Sequence, residues 1–72
     1  MTENVALVVD EYGNEMFFGH TTGECQKWCF LHGVTGSNGE YIALGTFNTA
    51  TRYFDLEDYA EIDIERYRRE HE

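Results

Sequence analysis

Residues 55–70, DLEDYAEIDIERYRRE, decide the fold, because two periodicities compete within them. From Ala60 to Glu65, apolar and acidic residues alternate, as they would on a half-exposed strand. The same stretch also fits a helix running from Asp55 as N-cap to about Glu70. At about 100° per residue, Leu56, Tyr59, Ala60, Ile64 and Tyr67 then share one stripe, opposite Glu57, Asp58, Glu61 and Glu65. Acids crowd the start, and Arg66, Arg68 and Arg69 the end, which suits the helix dipole. Two residues fit the helix badly: Ile62 would point outward, and Asp63 would sit beside the apolar stripe. The count of template matches favours the helix.

Working back from there, Glu40–Thr46 (EYIALGT) reads as a strand, and Phe47–Thr51 either extends it or connects across the sheet. Val34–Gly39 (VTGSNG) has the composition of a loop. The segment before it, His20–Gly33 (HTTGECQKWCFLHG), is a helix marked at both ends. Thr21 and Glu24 fit a capping box, and Gly33 is the natural left-handed residue past the last turn. Asn4–Glu11 (NVALVVDE) reads as a strand buried on both faces through Val5–Val9. Tyr12-Gly13-Asn14 is a turn, and Glu15–Gly19 (EMFFG) completes a hairpin. The expected order is ββαβα, becoming ββαββ with a short tail helix if the alternation wins. Either is an α+β fold with helices packed on a small antiparallel sheet.

Seventy-two residues make one domain, here residues 1–72. A chain this short buries only about 60% of its unfolded surface, so its core is thin. Five Phe, five Tyr and one Trp supply much of the apolar area. There is no basic, apolar leader and no run near the ~20 apolar residues of a membrane span, so a cytoplasmic protein with reduced thiols is expected. The net charge of −9 opposes direct binding to nucleic acid or anionic lipid and favours basic protein surfaces.

The helix at 22–32 carries both cysteines. Cys25, Cys29 and His32 stand at i, i+4 and i+7 on one face, beside Trp28. One reading is a soft metal site completed by His20, since zinc accepts two thiolates and two imidazoles. Three ligands in line on one helix make a tetrahedral shell awkward, and His20 would have to fold back across the cap. The preferred reading puts the cysteines in the core and His32 at the helix C-terminus, with no metal or other cofactor. A redox role is disfavoured by the Cβ directions of an i,i+4 pair, and a nucleophilic Cys25 lacks an evident orienting group and oxyanion loop.

Six acids between Asp55 and Glu65 form the most unusual charge feature. On a helix, i,i+4 carboxylates stand roughly 6 Å apart, near enough to the repeat of a phosphate strand to mimic one. Aromatics are too numerous to be wholly buried, and Phe30 and Leu31, pointing away from the cysteines, are candidates for an exposed patch. In composition the chain is similar to small acidic inhibitors that bacteriophages make against host nucleases and polymerases, although no motif carries the likeness. The expected function is a non-enzymatic, acidic protein-binding module that docks on the basic surface of a partner. An inhibitor or nucleic-acid mimic acting on a nucleic-acid-binding protein is one form of it. Asp55, Glu57, Asp58, Glu61, Glu65, Phe30 and Leu31 would form its binding surface. The alternatives are a zinc-binding domain using Cys25, Cys29, His32 and His20, and a homodimeric accessory or structural protein.

Overall fold

The computed structural model describes residues 1–71. The chain runs β1 (Thr2–Val9), β2 (Glu15–Gly19), α1 (Thr22–His32), β3 (Tyr41–Asn48), β4 (Tyr53–Ala60) and α2 (Ile64–His71). The strands form one antiparallel sheet in the order β2-β1-β3-β4. The α+β class and the antiparallel sheet agree with the sequence reading. The element order is the alternative one, ββαββ with a short tail helix, and not the preferred ββαβα: residues 55–60 belong to a fourth strand, and the second helix begins only at Ile64.

The two misfits of the long-helix reading explain this difference. Ile62 packs into the core from the β4–α2 connection, which a residue on the outer face of a helix cannot do. Asp63 is the cap of α2, its carboxylate accepting from the Arg66 amide at 3.1 Å. The alternation at 60–65 therefore spans a strand end, a corner and a helix start. The strand lies upstream of it, where register with β3 gives Leu56 and Tyr59 neighbours.

β1 is central. Val5 to Val9 are all under 8% exposed, as an apolar run covered on both faces should be. Ala6 and Val8 face α1 and form a cluster with Ile42, Cys25 and Cys29. Leu7 and Val9 face the other way, with Ala43, and are covered only by side chains of the sheet itself, among them Phe18, Tyr41 and Phe54. The turn after β1 is closed by Asp10, whose Oδ1 accepts from the amides of Tyr12 (2.9 Å) and Asn14 (2.8 Å). The Asn14 amide foremost holds the Asp10 carboxyl below the usual carboxylate range.

α1 starts and stops where its caps dictate. Thr21 Oγ1 accepts from the Glu24 amide at 3.1 Å. The Glu24 carboxylate reaches back to the His20 amide (2.9 Å), one residue before the expected Thr21 amide. At the far end Gly33 adopts φ 69°, and both its amide and that of Val34 bond the Cys29 carbonyl. Val34 also packs against the core beneath Cys29.

β3 and β4 are joined by a tight loop built on Asn48. Its side chain accepts from the amides of Ala50 and Thr51, and its carbonyl from Arg52. Arg52 closes the loop at φ 60°, a region costly for a residue with a Cβ. Beyond it, the β3–β4 register shifts between Leu44 and Gly45. There the backbones approach so closely that a Cβ on Gly45 would collide with the Asp55 carbonyl oxygen and lie 3.0 Å from the Phe54 ring. Gly45→Ala is expected to lower the thermal midpoint sharply, whereas Arg52→Gly should stabilise by about 1 kcal/mol by removing left-handed strain. Thermal melts of the two variants, followed by circular dichroism, check both signs.

Candidate functional site

The acids singled out in the sequence do not form a helical row. Asp55, Glu57 and Asp58 lie on β4, Glu61 in the corner after it, and Glu65 in the first turn of α2. All five are exposed. The i,i+4 spacing that suggested phosphate mimicry is therefore absent. On a strand, alternate residues instead stand about 6.6 Å apart along the edge.

The orientation of these acids follows from the footprint of α1. A helix about 10 Å across covers roughly two strands spaced about 4.8 Å apart. α1 packs on β2, β1 and the near part of β3 and leaves the helix-facing side of β4 open up to Ala60, which packs against the core. Asp55 pairs with Thr46, and Asp58 with Leu44, so both stand on that uncovered side. Glu57 is the extra residue of the bulge between Asp58 and Leu56. β4 is also an edge strand. Among the described residues, Asp55, Glu57, Asp58 and Glu61 enter no ion pair, while Arg66 and Arg68 are taken up within α2 by Glu70 and Glu65. The result is an acidic edge whose charges are not neutralised locally.

The corner that carries Glu61 is pinned by Gln26 of α1. Its amide nitrogen donates to the Glu61 carbonyl (2.9 Å), and its amide oxygen accepts from the Asp63 backbone (2.8 Å). One side chain thus satisfies two backbone groups where the chain leaves the sheet. α2 then lies against α1, with the Tyr67 ring 5.5 Å from that of Phe30. No local pattern marks Gln26, because its partners lie more than thirty residues away and depend on where β4 ends.

Phe30 and Leu31 are both exposed, but they do not join the acidic edge. Phe30 borders α2. Leu31 lines a small apolar groove of about 310 Å³ with Phe17, Lys27 and Trp28 on the β2 side. β2 and β4 are opposite edges of the sheet, so the expected single patch divides into two.

The four residues of the zinc alternative are not brought together. Cys25 and Cys29 are fully buried. The His32 ring stacks on Trp28, with centroids 4.3 Å apart, and its Nδ1 meets the Trp28 carbonyl at 2.9 Å. His20 stands between the carboxylates of Glu3 and Glu24. Among the described residues, no three His, Cys, Asp or Glu side chains are grouped to hold a metal. Burial pushes the Cys25 thiol up to about 12, aided by Cys29 and Glu24, and the Cys29 thiol up to about 11, aided by Glu40. Both are neutral at physiological pH, in keeping with small apolar core residues.

No helix among the described residues is long and apolar enough to cross a membrane. Comparison with family models, curated proteins and solved structures finds no match to this chain.

Two outcomes are expected. The native protein should resist thiol reagents that label both cysteines once it is unfolded. Above pH 9 the unfolded chain releases thiol protons that the folded chain retains until about pH 11 to 12. Stability should therefore fall as pH rises through that window, and replacing both cysteines with alanine should flatten the fall in denaturant titrations. Separately, Gln26→Ala should cost about 1 to 2 kcal/mol by freeing the two corner groups. Hydrogen exchange should then speed up most at residues 61–71.

Proposed function

We propose that the protein is a non-enzymatic binding module whose acidic edge strand β4 docks on a basic surface of a partner protein. The observation that carries this reading is the unneutralised acidic edge: Asp55, Glu57, Asp58 and Glu61 exposed along the rim, with no strand beyond β4 among the described residues. An edge strand offers unpaired backbone groups to any strand that can approach it. Carboxylates along this edge repel another acidic strand and attract one bearing lysine or arginine, so the same residues that guard against self-pairing select a basic partner. The net charge of −9 steers such an encounter from a distance. A nucleic-acid-binding protein is the partner class that most often presents a basic groove, and occupation of that groove would make the module an inhibitor.

Affinity capture at low ionic strength with the full chain as bait tests this reading. Retained proteins should be basic, should elute as salt is raised, and should be displaced by added DNA. Asp55→Lys with Asp58→Lys should weaken retention about tenfold or more, mainly by slowing association. Retention unchanged by that pair, or insensitive to salt, would remove the acidic edge from the function.

A further inference from the structure

We infer that the sheet face opposite α1 is the interface of a homodimer, two copies packing sheet on sheet. This inference concerns the face that carries no acids in β4 and does not rest on the function proposed for the edge. It starts from a mismatch in β4. A strand at the margin of a helix-backed sheet normally puts polar residues on its bare side. β4 does the reverse. Asp55 and Asp58 stand on the side that bears the helix, and Phe54, Leu56 and Tyr59 stand on the side with no helix, beside Phe47, Gly45 and Ala43. The extra residue at Glu57 brings this about, because it lets Leu56 and Tyr59, three positions apart, reach the same face.

The rest of that face matches. Phe18 meets Phe47 edge to face at 5.3 Å, and Tyr41 meets Tyr59 in the same manner at 5.3 Å. Phe18, Tyr41 and Phe54 shelter Leu7, Val9 and Ala43 but stay partly exposed themselves, and Leu56 (43%) and Tyr59 (60%) are open. The six side chains Phe18, Tyr41, Phe47, Phe54, Leu56 and Tyr59 carry no charge. Carboxylates and an imidazole stand at the margins: Glu3 opposite Phe47, His20 beside Glu3 with its ring edge-on to Phe18, and Glu15 opposite Val9.

Three arguments favour a second copy as the occupant. The first is area: three strands of eight residues and one of five, at about 3.3 Å per residue and about 4.8 Å apart, give a face of about 460 Å². Two such faces remove about 900 Å², the size of a weak, concentration-dependent interface. The second is charge: in a chain of net charge −9, self-association needs a surface whose centre is free of acids, and this face holds Glu3 and Glu15 at its margins and keeps Asp55 and Asp58 on the outer side of the sandwich. A basic partner would gain nothing here. The third is the thin core of so short a chain, which a sheet-on-sheet layer about 10 Å thick would complete on its second side.

Sedimentation equilibrium of the full chain over about a hundredfold concentration range tests the inference. The wild type should be a dimer that tightens as salt screens the net charge, the opposite of the salt response expected at the acidic edge. Leu56→Glu with Tyr59→Glu should weaken dimerisation about a hundredfold or more while the circular dichroism spectrum is kept. If that variant does not fold, Leu56→Gln with Tyr59→Gln takes its place with the same expectation. Leu31→Glu, on the other side of the molecule, should leave the dimer intact. A wild type that is monomeric at every concentration, or a dimer that neither face variant weakens, overturns the inference. So does a monomer found with a different protein seated on this face.

Discussion

The structure depends on one constraint: β1 must be dry on both faces, and there is one helix to cover it. Val5 to Val9 form an apolar run that no exposed strand would tolerate. α1 solves one side by laying Cys25 and Cys29 over Val8 and Ile42. The other side is solved within the sheet, where Phe18, Tyr41 and Phe54 lie over Leu7, Val9 and Ala43. A helix gives a closed roof with a polar outer surface. Aromatic rings give a roof that is itself apolar and still touches water, which is why the two faces differ so much in chemistry.

The same constraint sets where the acids stand. α1 is too narrow to cover the middle of β4, so the helix-bearing side of that strand is solvated there and holds Asp55 and Asp58. One strand thereby divides two surfaces of opposite character, an acidic rim and an apolar aromatic sheet face. Self-repulsion along the rim and the lack of charge on the face make them suited to different occupants. Salt acts on the two in opposite directions, since screening weakens attraction between unlike charges and relieves repulsion between like ones.

The cysteines show how a chemically suggestive spacing resolves into packing. Two thiols and an imidazole on one helical face resemble a ligand set, but the face that carries Cys25 and Cys29 is the face that must be buried. His32 at the last turn finds the Trp28 ring and carbonyl instead. Burial then raises both thiols out of the range where they would ionise, so position and protonation point the same way.

Local chemistry in the chain determined much of this. The two-sided burial of Val5–Val9, the hairpin to β2 and both ends of α1 could be read because their signals are contained within a few residues: an apolar run, a turn, a Thr–Glu cap and a glycine stop. The α+β class followed from those elements. Residues 53–64 could not be settled in that way. Leu56, Tyr59, Ala60 and Ile64 satisfy a helical stripe as well as Phe54, Leu56 and Tyr59 satisfy a bulged strand, and the bulge at Glu57 hides the strand's period of two. Only the edge of β3, with Gly45 leaving room for the Asp55 carbonyl, decided for the strand. With it came the placement of the acids, the separation of Leu31 from them and the Gln26 clamp. All of these depend on contacts between residues far apart in the chain, and such contacts exist only once the sheet has formed.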